Sequence, residues 1–425
     1  MVPNAKFREG FRFQGSFIVV RFSALVALFL LSLSAFADFQ WSDSFTWNRA
    51  RIVAPRQNSW SFRTSYQSFD SRYGSTGQVQ ALGRPFDRTW SWGQIMSAET
   101  SSASRAVLQK YRDDNHLTDT DIAAQSTFDL KRQETTMDMS WAYGLSEHWM
   151  IGIEVPISLV DTQLSPSTTM TSSLSNALHT ADASGADVRR RVQALVQSRL
   201  ASEGYQPLQS RTQNLIVGDV SLMNQFALWQ NPNWAFSLQQ IARIPSAPNN
   251  NVADYIRYSR GDGQIDLGVN ALVDYQWRRF LFGARMGYIK SLPDNQKMRV
   301  PASEDSSQIV DRNVHRDFGD LVSVSFETFY SLARRWRING GYLGFFKGAD
   351  HYSGDVAEAA YAELGANTNQ QLHMARAGMS YTLGQPTTRN GVSNKWVANF
   401  NFYQPVAGLN ISEGPQASLE LQAFF

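Results

Sequence analysis

The chain has 425 residues, a formal net charge of +2, 12 tryptophans, no cysteine and a mean hydropathy of −0.34. The missing cysteine excludes disulfides, thiolate metal sites and a cysteine nucleophile, and the small net charge gives no sign of nucleic-acid binding. Beyond residue 37 no stretch approaches 18 uninterrupted apolar residues, which excludes helical membrane spans.

The first element is an export signal. Lys6, Arg8, Arg12 and Arg21 precede an apolar run over 22–37 that ends in the small-residue site Ala35-Phe-Ala37. A membrane-anchor helix needs about 20 apolar residues, more than this run holds. The reading is a signal peptide over 1–37, cleaved after Ala37. Residues 38–57 follow as an N-terminal periplasmic segment, or as an extra strand through Phe39, Trp41, Phe45 and Trp47.

From about residue 124 onward, with one earlier run at 60–66, the sequence breaks into runs in which apolar side chains recur at every second position, the period of a strand with one apolar face. Trp60, Phe62, Thr64 and Tyr66 mark the first strand. A long loop over 70–123 contains Trp90-Ser-Trp92 and a predicted helix over 104–114, with Val107, Leu108 and Tyr111 on one side. Met137, Met139, Trp141 and Tyr143 lead through a turn to Trp149, Ile151, Ile153, Val155, Ile157 and Leu159. A second long loop over 164–211 predicts a helix within 186–204, on Val188, Val192, Leu195 and Val196.

The pattern then repeats as hairpins. Ile216 to Leu228 turns at 230–233 into Trp234 to Ile244. Ile265 to Tyr275 turns at Trp277 into Phe280 to Tyr288. Val322 to Tyr330 turns into Trp336 to Tyr342, and Ala375 to Tyr381 leads to Trp396 to Phe402. The chain closes on Ala417, Leu419, Leu421, Ala423 and Phe425, alternating with Ser418, Glu420 and Gln422. A last strand ending on an aromatic resembles the closing-strand signal of bacterial outer-membrane β-barrels.

The count is about 12 strands, or 14 if Phe39–Trp47 contributes, in an all-β transmembrane antiparallel barrel over 58–425 with short helices in long extracellular loops. Alternation hides a barrel's hydrophobicity from averaged hydropathy. With the C-terminal Phe on the periplasmic side, the tight turns near 145, 231, 278 and 333 fall on that side and the long loops outside. Trp149, Trp234, Trp277, Trp336, Trp396 and Phe425 then form an interface girdle. Such a barrel sits in outer-membrane lipid, and its C-terminal strand is the segment that meets the barrel-assembly machinery.

The alternate positions face the lumen. They are Arg132, Glu134, Asp138, Glu154, Asp219, Arg243, Asp266, Asp274, Arg285, Glu327, Arg337, Arg376 and Glu420, with Asn270, Asn339, Asn399 and Asn401 between them. Both signs occur in similar number, the mark of a narrow interior that pairs its charges or of a small polar path, not of a wide single-sign pore. Gly268, Gly283, Gly287 and Gly341 on the same faces leave room or permit curvature. Catalytic and metal signals are weak: Asp114-Asn-His116, Asp119-Thr-Asp121 and Ser303-Glu-Asp305 read as ordinary loop residues, and no cofactor, metal site or catalytic residue is expected.

The order Ile153-Glu-Val-Pro-Ile157, a long insert, Val217-Gly-Asp-Val220, Gly261-Asp-Gly-Gln-Ile-Asp-Leu-Gly268 and Arg316-Asp-Phe-Gly-Asp320 resembles the meta-pathway phenol-degradation transporters, relatives of the long-chain fatty acid channel. The resemblance covers about 124–345 and implies a narrow channel for small hydrophobic or aromatic solutes. The sequence after Ala37 begins Asp38-Phe-Gln-Trp and lacks the Asn-Pro-Ala opening of the fatty acid channel's plug, which sets that family's lateral exit in question. The competing reading is a closed structural barrel whose long loops bind a partner. N-terminal sequencing of the exported protein should begin at Asp38; an N-terminus still carrying residues 22–37 would overturn the cleaved-signal reading.

Overall fold

The structure, a computed structural model, describes residues 48–84, 87–98, 102–180, 209–246, 263–301, 309–354, 361, 364–383 and 395–425. The export signal, Phe39–Trp47 and the helix expected within 186–204 lie outside these residues.

The alternation commits twelve segments to long strands: β1 Asn58–Phe69, β2 Ile122–Gly144, β3 Trp149–Met170, β4 Val220–Gln230, β5 Trp234–Ile244, β6 Asp266–Trp277, β7 Phe280–Ser291, β8 Leu321–Ser331, β9 Trp336–Lys347, β10 Gln370–Leu383, β11 Lys395–Leu409 and β12 Gln416–Phe424. Each pairs antiparallel with its chain neighbours. β12 then pairs with β1, from Ser59 opposite Phe424 to Gln67 opposite Gln416, which closes a 12-stranded up-and-down barrel. Two short strands join the same sheet, Arg88–Ser91 beside β2 and Arg211–Val217 beside β3. They come from the long loops.

The pleat sorts the side chains. On β3, Trp149, Ile151, Ile153, Val155, Ile157 and Leu159 are exposed or half-buried, and the residues between them are buried. At Asp161 the outward positions turn polar, and Arg211 Nε and Gln213 Nε2 each approach the Asp161 carboxylate at 3.0 Å. Ten residue steps of about 3.3 Å, tilted about 40°, give a band ~25 Å tall, the height of an outer-membrane hydrocarbon belt. At the tight-turn edge Trp149, Trp234, Trp277, Trp336, Trp396 and Phe425 are all exposed. Ring pairs tie this edge together, Trp234 to Tyr275 at 4.2 Å and Trp336 to Tyr381 at 4.6 Å.

The long-loop edge differs from the expected bare loops. β2 and β3 are 23 and 22 residues long, about twice β4, which has 11, so their hairpin projects well past the band. Its face polarity is inverted: Phe128, Leu130, Val160 and Leu164 turn inward onto Phe69, Leu82 and Ile216. Three helices, α1 Trp92–Ala98, α2 Ser102–Asp114 and α3 Ser172–Thr180, pack Trp92, Ile95, Leu108 and Leu174 against Ala123 and Ala124. α2 is the helix expected over 104–114. Between β7 and β8 and after β9, strands 294–301, 309–317 and 351–353 form a small sheet.

The β1–β2 pair, one strand from the closing seam, carries a buried ion pair. Arg63 Nη2 on β1 lies 2.6 Å from Asp138 Oδ2 on β2, with both side chains under a tenth exposed. Arg63→Met leaves the carboxylate buried without its cation and should cost about 3–5 kcal/mol in denaturant unfolding of the folded barrel. Arg63→Met with Asp138→Leu should recover most of that loss; a double variant no more stable than the single one would refute the pairing as the cause.

Candidate functional site

The lumen is layered, and each layer follows from which residues fall on inward parity at that height. In the middle lies a polar belt. Arg376 on β10 pairs with Glu327 on β8 although β9 runs between them. Gly341 makes this possible: it stands between them in register, and a Cβ there would meet the Phe326 carbonyl at 2.5 Å and Glu327 Cγ at 3.3 Å. Gly287 likewise leaves its space to Asn270 and Ser323. Glycines at these positions admit neighbouring side chains.

The belt continues around the wall. Arg376 Nη2 donates to Asn401 Oδ1 at 3.0 Å, and Asn339 Nδ2 donates to the same oxygen at 3.2 Å. Glu420 accepts from Ser61 and from Asn399 Nδ2 at 3.1 Å. Asn270 Nδ2 donates to Gln239 at 2.6 Å, and Gln239 Nε2 to Gln225 at 3.0 Å. Arg243 Nη1 meets Asp266 at 2.6 Å. Arg132, Glu134, Asp138, Glu154, Asp219, Asp266, Asp274, Arg285, Arg376 and Glu420 are buried, and Arg243, Glu327 and Arg337 half-buried. Several of these charges pair with one another, whereas Arg337 has no ion-pair partner among the described residues. Arg63 belongs to this set, and alternation past Phe62 was the signal for it.

Toward the tight-turn edge the lumen holds the chain's own N-terminal segment. Gly144 N donates to Gln57 O at 3.1 Å where that segment leaves β1. Farther in, Ala50 is fully buried, and Val53 packs with Ala142, Met150 and Met223. Arg49 Nη2 lies 2.9 Å from Asp274 Oδ1, and Arg51 N donates to Asp274 Oδ2 at 3.3 Å. Gln225 Nε2 donates to Arg49 O at 2.8 Å, and Arg285 pairs with Asn48. The wall charges Asp274 and Arg285 therefore serve residues 48–51, a role that strand parity alone does not reveal.

Toward the long-loop edge the inward face becomes apolar. Ile289, Leu321, Leu343, Phe345, Met374 and Tyr403 form one buried cluster across β7 to β11, with Leu372 against it, and the cluster of Phe69, Leu130 and Val160 lines β1 to β3. This collar was not foreseen. Its signal is a stretch apolar at both parities, such as Tyr342-Leu-Gly-Phe-Phe346.

The sequence motifs gather in two places. Ile157 faces Val217 and Glu154 faces Ser221, with the wall interrupted between them at Gly218-Asp219. Gly218 N donates to Pro156 O at 2.8 Å, and Ser246 bridges the break through Asp219 Oδ1 at 3.0 Å and Gly218 O at 2.9 Å. At the rim, Gln264 Nε2 donates to Asp294 at 2.7 Å, Arg316 Nη2 meets Asp294 at 2.6 Å, and Arg316 lies 4.9 Å above the Phe318 ring. Burial would raise the nearby Asp320 carboxyl, but hydrogen bonds from Tyr288 and Lys290 outweigh it and hold it below its ordinary value.

The weak catalytic and metal signals have local explanations. Asp114-Asn-His116 ends α2, with His116 in left-handed backbone (φ 54°). Asp119 pairs with Arg112, and hydrogen bonds from Thr118 hold the Asp121 carboxyl low. Ser303-Glu-Asp305 lies outside the described residues.

No family model and no curated protein matches the chain. Among solved structures it is similar to an outer-membrane channel from Pseudomonas putida F1, with a TM-score of 0.51 and 9% identity over 91% of this chain and 100% of that one. A Ralstonia pickettii toluene transporter gives a TM-score of 0.36 at 11% identity, over 90% and 94% of the two chains. A Pseudomonas aeruginosa homologue of FadL gives 0.35 at 8%, over 92% and 96%. The first likeness shows the fold, an antiparallel β-barrel like that of the outer-membrane protein it matches.

If residues 48–57 obstruct the lumen, Arg49→Ala with Arg51→Ala should raise single-channel conductance in planar bilayers several-fold at unchanged barrel stability. Conductance equal to wild type would refute the obstruction.

Proposed function

We propose that this protein is a bacterial outer-membrane channel for passive uptake of small hydrophobic or aromatic solutes. The observation that carries the reading is the apolar collar on the inward face at the long-loop edge, since an ion or sugar pore has no use for inward Leu343, Phe345 and Met374. In this reading the Trp girdle and Phe425 sit at the periplasmic interface, the long loops face outside, and the C-terminal strand engages the assembly machinery.

A solute held by the collar next meets the polar belt and the N-terminal segment. Lumen-facing Arg376, Glu327, Asp274 and Arg285 therefore set the barrier rather than the affinity. A buried ion pair keeps its charges desolvated at a cost of several kcal/mol per ion if separated, so movement of residues 48–57 is the easier way to open a path.

The second reading, a closed barrel whose outer parts bind a partner, draws on the helices α1–α3 packed on the projecting β2–β3 hairpin. Deleting 165–211 should then abolish surface binding while the barrel stays folded. The channel reading is tested in proteoliposomes. Leu343→Asn with Met374→Asn should lower the flux of a monoaromatic probe about tenfold, as expected for removing roughly 50 Å² of apolar contact. Absence of monoaromatic flux through the wild-type barrel would sink the channel reading.

A further inference from the structure

Arginines are concentrated on two adjacent tight turns. Arg278 and Arg279 join β6 to β7, and Arg334 and Arg335 join β8 to β9. β7 and β8 pair directly, Phe280 opposite Tyr330, and Ser331 N donates to Arg279 O at 2.9 Å, so the two turns are held side by side. All four guanidinium groups are exposed, and among the described residues no carboxylate pairs with any of them. Elsewhere on this edge the turn over 145–148 carries Glu147, and the turn over 231–233 is uncharged.

Two observations say what covers this patch. Trp277, Leu332 and Trp336 are about half exposed on the same two turns, which sets the guanidinium groups at the depth of a membrane interface. Arg278 is also held in left-handed backbone (φ 52°), where a two-residue hairpin connection favours Gly or Asn. Turn geometry alone gives no reason for arginine there. We propose that Arg278, Arg279, Arg334 and Arg335 form a binding site for an anionic glycerophospholipid headgroup of the inner leaflet, its phosphate taken by paired guanidinium forks and its acyl chains lying against Trp277, Leu332 and Trp336. The site uses the proposed orientation but is independent of what the lumen conducts.

Native mass spectrometry of the full-length barrel, extracted from bilayers of mixed phosphatidylglycerol and phosphatidylethanolamine, tests this. Wild type should retain phosphatidylglycerol enriched about tenfold over its bilayer share. The variant R278G/R279N, whose residues suit the turn, should lose most of that enrichment, and adding R334Q/R335Q should abolish it, with heat-modifiable electrophoretic mobility confirming a folded barrel in each case. Added inorganic phosphate should not displace the lipid. Equal retention of both lipids by wild type, undiminished enrichment in the four-fold variant, or displacement by free phosphate would each overturn the proposal. Solute flux, read separately, is expected to be unchanged.

Discussion

Hydrocarbon offers no partner for a backbone N–H or carbonyl, so a sheet that crosses a membrane must leave no edge. The rest of this molecule depends on how that condition is met. The pairing of β12 with β1 joins segments more than 340 residues apart in sequence, from Ser59 opposite Phe424 to Gln67 opposite Gln416. All other pairings among the twelve strands are between chain neighbours. Closure is therefore the one long-range requirement, and it fixes the height of every residue on the wall. The stitch Arg63–Asp138 lies one strand beyond the seam, where it ties β1 to β2.

A closed pleated wall sends every second side chain inward. Twelve strands enclose a narrow space, and charged residues sent into it cannot remain solvated individually. The solution is local and geometric. Rows such as Glu327–Gly341–Arg376 place a glycine between opposite charges so that the pair forms across three strands. Asp274 lies in the same row, where Arg376 pairs with Glu327, and the N-terminal segment provides its cation in Arg49. The mixed signs of the inward residues thus reflect filling. They do not by themselves describe a conduction path.

The strands were legible because one face of each meets hydrocarbon. Ile265 to Tyr275 and Phe280 to Tyr288 alternate without a break and match the observed strands to within three residues. Above Leu159 the period of two persists on β3 but its phase reverses, so an extension that is apolar inside reads as loop. The strand over 294–301, Asp-Asn-Gln-Lys-Met-Arg-Val-Pro, has no apolar alternation and is held by pairing with 309–317. Partner choice in the lumen was hidden for another reason. Asp274 and Arg285 announce charge at an inward position, but that residues 48–51 answer them depends on where a segment outside the barrel enters it.

The phase reversal also separates two jobs that a uniform pore would combine. In the proposed channel, a monoaromatic solute that buried about 120 Å² against the collar would gain ~3 kcal/mol, roughly a hundredfold in local concentration. The same solute would gain little from the belt, where many side chains are paired with one another. In the proposed channel selectivity would reside at Leu343, Phe345 and Met374, and the rate of passage would be set lower down, by the contacts that Arg49 and Arg51 make with Asp274 and the turn carbonyls of Asn231 and Pro232. Because the two residue sets lie at different heights on different strands, the collar of the proposed channel could be altered without loosening the contacts that hold residues 48–53 against the wall. A barrel that filled its whole interior with one kind of side chain would have no such independence.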